Sequence, residues 1–398
     1  MPVNPKRNPR KYHISQRATN LSPSGIRRFF DLLNSIEGVI SLGVGEPDYA
    51  TPWHISEAAI ESLKKGQTMY TSNSGMPELR QELSRYLRNN YDLEYDPESE
   101  LLITVGVSEG LDLAMRALVN PGDEVIMPDP CYVSYNSCVI LAEGTPVMVP
   151  TYQKDNFELN AADIEARVTN KTKAILIGYP ANPTGAVMSR ENLSQIAEVA
   201  RRHQLLIASD EIYAKLVYGV EHTCVAALPG MKASTILLGG FSKAYAMTGW
   251  RIGYVAAPRE IITAMTKIHQ YTMMCASTMA QVAAIEALKY GEENVTEMVV
   301  DYNRRRLAIV KGLCEIGLSC FEPTGAFYAF PSIRCTGMTS EGFAERLLTE
   351  EKVAVVPGSA FGQYGEGYVR CCYATSLADI EEALSRMKRF VDKYRRED

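Results

Sequence analysis

Seven short apolar runs, separated by stretches with helical spacing, dominate the middle of this sequence. Each run is apolar on both faces instead of alternating, which is typical of strands in a sheet covered on both sides. The stretches between them, such as residues 109–119 and 190–203, have the apolar spacing of amphipathic helices. Alternation of strand and helix predicts an α/β domain with a large, mostly parallel sheet. The predicted strands are Leu101–Val105, Glu124–Met127, Pro146–Val149, Ala174–Ile177, Leu205–Ala208, Thr235–Leu238 and Ile252–Ala256.

The remainder of the chain has a different pattern and predicts a second domain. Helical spacing dominates residues 276–317, strand-like pieces follow at 326–330 and 368–373, and a terminal helix begins after Ala378. We expect a large domain at residues 48–290 and a smaller α+β domain, with an N-terminal arm, built from residues 1–47 and 291–398. Residues 71–75 are a loop by composition. Residues 20–26 fit either a plain linker or a mobile cover over a site.

Composition narrows the classes of function. A chain of 398 residues that is 46% hydrophobic and has a net charge of −6 is a folded protein without the clustered cations of a nucleic-acid-binding surface. No apolar run approaches the roughly 20 residues that span a bilayer, and the first residues lack the apolar core of a secretory signal. Nine cysteines without zinc-ligand spacing predict reduced thiols and no metal. We therefore expect a cytoplasmic protein with no nucleic-acid or membrane partner.

Polar residues follow four of the predicted strands, at the sheet edge where α/β proteins bind ligands. Residues 106–110 open a helix and fit either a tight turn or a phosphate site, because free N–H groups at a helix start attract anions. Residues 182–185 have turn composition. Asp210 ends a buried strand, where an ionised carboxylate needs a partner. Lys243 follows the next strand, although a surface position is the usual place for a lysine.

Taken together, these strand ends fit one cofactor chemistry. A lysine amine forms a Schiff base with an aldehyde cofactor, and a helix N-terminus holds the cofactor's phosphate. A carboxylate beside the cofactor's pyridine nitrogen raises its proton affinity, so the ring withdraws electrons from the substrate Cα. The pattern therefore predicts pyridoxal 5′-phosphate.

With these residues in their order, the sequence resembles the class I/II aminotransferases, the aspartate and aromatic aminotransferase family of fold-type I pyridoxal-phosphate enzymes. The resemblance covers nearly the whole chain. It rests on Gly45-Glu46-Pro47-Asp48, Tyr70 ahead of Gly75-Met76-Pro77-Glu78-Leu79-Arg80, the Ser108 turn, Asn182-Pro183-Thr184-Gly185, Asp210-Glu211-Ile212-Tyr213, Ser242-Lys243, Thr248-Gly249-Trp250-Arg251-Ile252-Gly253 and Tyr368-Val369-Arg370.

The resemblance implies roles for individual residues at the cofactor ring. Lys243 would be the Schiff-base lysine and the base that moves the Cα proton, and Asp210 would pair with the pyridine nitrogen. Tyr213 and Asn182 would hydrogen-bond the phenolic oxygen of the ring. Lys243, Asp210 and Tyr213 are thus the predicted catalytic residues. Tyr132 would stack on the ring, although an ordinary core aromatic is the alternative for it.

The resemblance also implies how the phosphate and the substrate are held. Tyr70 would reach the phosphate of the neighbouring subunit, so the active site would belong to a homodimer. Gly45, Asn182 and Arg370 would hold the substrate, with the Arg370 guanidinium clamping its α-carboxylate through two bonds. The predicted phosphate ligands within the chain are Val107, Ser108, Glu109, Ser242 and Arg251.

Two positions depart from the family pattern. Many relatives have a serine three residues before the lysine, where this chain has Gly240, so one phosphate hydrogen bond is expected to be missing. Aspartate-preferring bacterial members tend to carry a lysine near Ser108. Here Glu109 occupies this turn, and its charge predicts a weaker preference for acidic donors.

The resemblance implies an amino-acid aminotransferase with an aromatic or aspartate-type donor, 2-oxoglutarate as the expected 2-oxo acid acceptor and a ping-pong mechanism. Two alternatives share the cofactor: a carbon–sulfur β-lyase and a non-catalytic pyridoxal-phosphate-binding regulatory module. The short N-terminal segment disfavours the regulatory module, which would need a DNA-binding domain there. A nicotinamide-dependent reductase is disfavoured because no G-x-G-x-x-G follows a predicted strand.

Overall fold

The computed structural model describes residues 14–21 and 37–396. Helix α1 (Gln16–Asn20) and strand β1 (Ile40–Ser41) precede the large sheet. Of the predicted linker or cover at residues 20–26, Asn20 and Leu21 are described, and the rest lies outside the described residues. In the part of the chain that the structure describes, no helix is both long and apolar enough to cross a membrane.

All seven predicted apolar runs are strands of one sheet, as expected. Six of the seven strands point the same way, and the seventh, which is the last of them in the chain, runs antiparallel to both of its neighbours. The strands are β2 (Leu101–Thr104), β3 (Glu124–Asp129), β4 (Thr145–Pro150), β5 (Thr172–Gly178), β6 (Leu206–Asp210), β7 (Thr235–Gly240) and β8 (Gly253–Ala256). Their order across the sheet is β2-β8-β7-β6-β5-β3-β4, and the central strands are buried on both faces. The predicted α/β fold with a mostly parallel sheet is confirmed.

Helices cover both faces of this sheet, and the last helix of the described residues ends at Tyr394. The helix predicted at residues 190–203 starts where the Ser189 hydroxyl accepts the Asn192 N–H, and it buries apolar residues on one face. This helix is α7 (Arg190–Arg202), and the other α-helices after α1 in the described residues are α2 (Trp53–Lys64), α3 (Pro77–Tyr91), α4 (Gly106–Leu118), α5 (Ser134–Leu141), α6 (Ala161–Glu165), α8 (Arg259–Thr272), α9 (Thr278–Tyr290), α10 (Glu292–Glu315), α11 (Ser340–Glu351) and α12 (Leu377–Tyr394).

A second group of elements joins residues near the start of the chain to residues near its end. Strands β9 (Tyr328–Ala329), β10 (Val353–Ala354), β11 (Val356–Pro357) and β12 (Val369–Cys372) belong to it. β1 pairs in parallel with β10, while β11, β12 and β9 form an antiparallel sheet. Helices α10, α11 and α12 bury their apolar faces in the same core. The domain boundaries at residues 47–48 and 290–291 remain a prediction.

Candidate active site

The carboxyl ends of β5, β6 and β7 and the start of α4 open on one cavity of about 740 Å³. Arg370 on β12 and Tyr328 on β9 line the same cavity, which therefore lies between the large sheet and the smaller antiparallel sheet. The sequence-predicted residues that line it are Gly45, Val107, Ser108, Tyr132, Asn182, Asp210, Tyr213, Ser242, Lys243, Arg251 and Arg370. Glu109 and Tyr70 do not line it.

Lys243 extends into this cavity three residues beyond the end of β7. Its Nζ donates a hydrogen bond to the Gly45 carbonyl oxygen at 2.6 Å and lies 5.8 Å from the centre of the Tyr213 ring. Burial lowers the pKa of the Lys243 amine to about 8, because the charged form loses its hydration. A substantial fraction of the amine is therefore neutral near pH 8, the form that attacks an aldehyde.

Asp210 lies at the end of β6 and is buried. Its carboxylate accepts hydrogen bonds from the Tyr135 hydroxyl at 2.9 Å and the Ile212 N–H at 3.2 Å. Burial raises the pKa of Asp210 to about 6, although the Tyr135 hydrogen bond opposes this rise. The carboxylate is thus ionised at neutral pH and can stabilise a nearby protonated ring nitrogen.

Tyr135 lines the cavity, and the sequence reasoning missed it. Its hydroxyl reaches Asp210 only because Gly178 leaves room for it: a Cβ at Gly178 would lie 1.9 Å from the Tyr135 hydroxyl oxygen. Gly178 pairs with Asp210 in the register of β5 and β6. The sequence offered one signal for Tyr135, its position three residues after Tyr132. The family pattern identified Tyr132 alone.

The turn between β2 and α4 forms a cradle of backbone N–H groups. Gly106 adopts a φ of +73°, and Gly253 of β8 packs against it so closely that a Cβ there would lie 2.7 Å from the backbone of Gly106. The first N–H groups of α4 have no partners within the helix, so they suit an anion. Arg251 packs against the same turn, and Ser242 also lines the cavity.

Gly240 also lies against this cradle. A Cβ at this position would lie 3.1 Å from side-chain atoms of Ile212 and Val107. A serine could enter only if these neighbours moved, which gives a physical reason for glycine here. The missing phosphate hydrogen bond inferred from Gly240 remains a prediction.

Glu109 does not face the cavity. Its buried carboxylate accepts hydrogen bonds from the Val105 N–H at 2.5 Å and from His269 Nδ1 at 2.6 Å. The expectation that its charge would disfavour acidic substrates was drawn from its position in the sequence, and the direction of the side chain removes the basis for it. Its proposed backbone contact with phosphate is separate and remains a prediction.

Arg370 is buried with its guanidinium at the cavity wall. Nη1 donates to Asn182 Oδ1 at 2.8 Å, and Nη2 donates to the Gly43 carbonyl oxygen at 2.7 Å. The guanidinium carbon lies 4.4 Å from the centre of the Tyr328 ring and 4.9 Å from that of Phe361. Among the described residues, Arg370 Nε has no hydrogen-bond partner. The geometry leaves a fixed, partly unpaired donor that suits a carboxylate.

Tyr328 also completes the surroundings of Tyr213. The two hydroxyl oxygens are 2.7 Å apart, and burial raises the pKa of the Tyr213 hydroxyl well above its ordinary value, so it remains a neutral donor. Sequence reasoning missed Tyr328 and Phe361. Each lies in a segment whose apolar pattern predicts only a core strand or a turn, and this pattern does not indicate a contact with Arg370.

The residues present fit pyridoxal 5′-phosphate. A cradle of glycines that leaves helix N–H groups accessible suits the phosphate, a buried carboxylate suits the pyridine nitrogen, and an amine with a lowered pKa suits the aldehyde. Tyr132 and Tyr213 supply aromatic surface and a hydroxyl between these groups.

Comparison with known proteins agrees with this chemistry. The family model described as aminotransferase class I and II matches residues 37–387. The Bacillus subtilis (strain 168) protein YugH is 59% identical over 381 residues, covering 96% of this chain and 99% of its own. An aspartate aminotransferase of Pyrococcus abyssi is 46% identical, covering 94% of this chain and 97% of its own. The crystal structure of an aromatic aminotransferase from Pyrococcus horikoshii has a TM-score of 0.88 and 46% identity, covering 92% of this chain and 99% of that one.

Proposed function

This chain belongs to the class I and II aminotransferases, which depend on pyridoxal 5′-phosphate, and we propose from that premise which residues carry its transamination and which substrates it takes. The family expected from the sequence is confirmed, and so are its cofactor and its activity as an amino-acid aminotransferase. The observation that carries the residue assignment is the convergence of Lys243, Asp210 and Arg370 on one cavity.

When bound, pyridoxal 5′-phosphate supplies an aldehyde that takes up amino groups and a protonated ring that withdraws electrons from the substrate Cα. Asp210 would keep the ring nitrogen protonated, and the Tyr213 hydroxyl and the Asn182 amide would bond the phenolic oxygen. Lys243 would hold the cofactor and then move the proton at Cα. The backbone of Val107, Ser108 and Glu109, together with Ser242 and Arg251, would hold the phosphate, and Tyr132 would cover the ring.

Arg370 and the Gly45 backbone hold the α-carboxylate of the substrate, and Asn182 positions Arg370. Both substrates of a ping-pong transaminase, the amino acid and the 2-oxo acid, carry this carboxylate, so one clamp serves both half-reactions. Acceptors such as 2-oxoglutarate therefore fit the same hydrogen-bond donors as the amino acid.

For the donor we propose an aromatic amino acid ahead of aspartate. The cations that line the cavity within the described residues are Lys243, Arg251 and Arg370, and the amine, phosphate and α-carboxylate roles account for them. Tyr132, Tyr328 and Val44 supply apolar surface for a side chain. Solved and curated relatives include both aspartate and aromatic aminotransferases, so family membership alone does not choose between these donors.

The test is a panel of single half-reactions. Phenylalanine, tyrosine or aspartate is mixed with the cofactor-loaded protein, and the visible absorbance is followed without an acceptor. We expect the aromatic donors to react with the higher kcat/KM and 2-oxoglutarate to restore the starting spectrum. Faster reaction with aspartate would overturn the donor proposal. Pyruvate released from cystathionine without any 2-oxo acid would favour the β-lyase alternative instead.

We further propose that the protein is a cytoplasmic homodimer with shared active sites. Tyr70 is 80% exposed and lies outside the cavity of its own chain. Met69 and Tyr271 are similarly exposed. Their two segments lie side by side, since the Met69 carbonyl accepts a hydrogen bond from the Thr278 hydroxyl and the Asn73 amide donates to the Met274 carbonyl. Such clustered apolar exposure is typical of a surface that a protein covers. All nine cysteines are free thiols, which agrees with a reducing compartment.

A mixed dimer tests the role of Tyr70 across the interface. Tyr70→Ala and Lys243→Ala chains carrying different tags are co-expressed, and the hybrid is purified through both tags. If Tyr70 acts on the partner's phosphate, one site of the hybrid has both native residues, and we expect activity near half that of the wild type with wild-type cofactor affinity. A hybrid that retains the weaker cofactor binding of the Tyr70→Ala homodimer, or a monomeric wild type in sedimentation, would contradict the proposal.

A further inference from the structure

The carboxylate of Glu109 is held inside the protein at the phosphate-binding turn. Glu109 lies in the first turn of α4, yet its side chain points away from the cavity. One carboxylate oxygen accepts the Val105 N–H at 2.5 Å, and the other lies 2.6 Å from His269 Nδ1 on α8. The side chain therefore ties the residue just before the helix to a second helix behind it.

The state of His269 follows from its surroundings. The imidazole is fully buried, and its Nε2 has no hydrogen-bond partner among the described residues. Because an ionised carboxylate only accepts hydrogen bonds, Nδ1 carries the proton that faces Glu109. A second proton on Nε2 would be a buried donor without an acceptor, which is costly. Nδ1 of His269 therefore donates to the Glu109 carboxylate, whose negative charge the N-terminal end of α4 favours.

This pair fixes one side of the turn. On the other side, the Thr104 hydroxyl donates to the Gly106 carbonyl at 3.0 Å, and Gly253 packs directly on Gly106. Val105 is the residue just before α4, and Glu109 supplies the acceptor for its N–H. Because Glu109 takes this N–H, the backbone between Val105 and the helix has one orientation, with the next N–H groups left for a ligand.

We propose that Glu109, held by His269, is the positioning residue of the phosphate-binding turn, and that it determines how much of the cofactor's affinity comes from the phosphate. This inference rests on the proposed assignment of this turn to the phosphate. The anionic side chain would repel a phosphate in direct contact, so its effect passes through the backbone of Val105 to the N–H groups of residues 107–109.

The experiment compares two ligands on the cofactor-free protein: pyridoxal 5′-phosphate and pyridoxal, which has the same ring without the phosphate. Absorbance titration gives a dissociation constant for each ligand. The dissociation constant of pyridoxal divided by that of pyridoxal 5′-phosphate is the ratio that measures the contribution of the phosphate. Glu109→Gln keeps the shape but has one acceptor oxygen for two donors. His269→Phe removes the donor to Glu109, while His269→Asn retains an amide donor near the position of Nδ1.

We expect Glu109→Gln and His269→Phe to lower the ratio about tenfold or more, while the dissociation constant of pyridoxal changes less than about twofold. His269→Asn should restore most of the ratio. His222→Phe is the matched control, because His222 also pairs with a buried carboxylate, that of Glu211 at 2.7 Å, away from the turn. It should leave the ratio unchanged.

An unchanged ratio in both Glu109→Gln and His269→Phe would overturn the inference, as would an equal loss of affinity for both ligands. If Glu109→Gln does not fold, the comparison of His269→Phe with His269→Asn gives the same decision. A wild type that binds both ligands equally would instead show that the turn is not the phosphate site, and the proposed assignment would then fail as well.

Discussion

Replacing Lys243 with alanine is expected to lower transamination by at least about 10⁴-fold, because one substitution removes both the covalent attachment of the cofactor and the base that moves the Cα proton. Steady-state turnover with the best donor and 2-oxoglutarate measures the loss. Borohydride reduction followed by mass spectrometry measures the attachment, which should be present on residue 243 of the wild type and absent from the variant.

Two further measurements separate this role from a structural one. Lys243→Arg retains a cation in the cavity but not a nucleophile, so it should be as inactive as the alanine variant. In the wild type, the amine must be neutral to attack an aldehyde, and burial lowers its pKa to about 8. The rate of cofactor capture by the cofactor-free protein should therefore rise with pH and level off above about 8, instead of rising toward the ordinary lysine pKa of about 10.5. Full turnover in Lys243→Ala would refute the mechanism.

Replacing Arg370 with alanine is expected to lower kcat/KM by roughly 10²–10³-fold for every α-amino acid alike. The reason is that the α-carboxylate common to all donors loses a charged, two-pronged partner, a loss worth about 3–4 kcal/mol. A lysine at this position keeps the charge without the fork, so Arg370→Lys should recover only part of the loss. The measurement is kcat/KM for a panel of donors and for their amides, which lack the carboxylate charge; the preference for acid over amide should fall in the variant.

Arg305→Lys provides the matched control for this substitution. Arg305 is also buried and also has an Nε without a partner among the described residues, but it pairs with Asp48 at 2.7 Å and Asp301 at 2.6 Å outside the cavity. Arg305→Lys should lower the thermal stability of the protein and leave the preference for acid over amide intact. A loss in Arg370→Ala confined to one donor would place Arg370 at the side-chain subsite instead of at the α-carboxylate.

The large sheet was predictable because its signal is local. Runs such as Ala174–Ile177 are apolar on both faces, and the strands they form are buried on both sides. The chemistry at the strand ends was predictable for the same reason: in a parallel sheet, residues that follow successive strands share one edge whatever the detailed packing. Asp210 and Lys243 therefore reach one cavity, as their positions in the sequence implied.

Side-chain directions were not predictable in the same way. Glu109 lies in the turn that the sequence assigned to the phosphate, yet its carboxylate bonds His269, 160 residues further along the chain. Tyr135 bonds Asp210 across 75 residues, and this contact depends on the absence of a Cβ at Gly178. Such contacts depend on how helices pack on the sheet, and the pattern within either segment carries no record of its partner.

The amino-acid sequence by itself determined the sheet, the turn that opens a helix at residues 106–110 and the three chemical groups expected of a pyridoxal-phosphate enzyme, because strand burial, turn composition and the order of strand ends are local properties. The tertiary structure alone decided what surrounds those groups. Arg370 is held by Asn182 and by Gly43, 327 residues away in the chain, between two aromatic rings. The lowered pKa of Lys243 and the raised pKa of Asp210 likewise arise from burial, which exists only once distant segments have packed together.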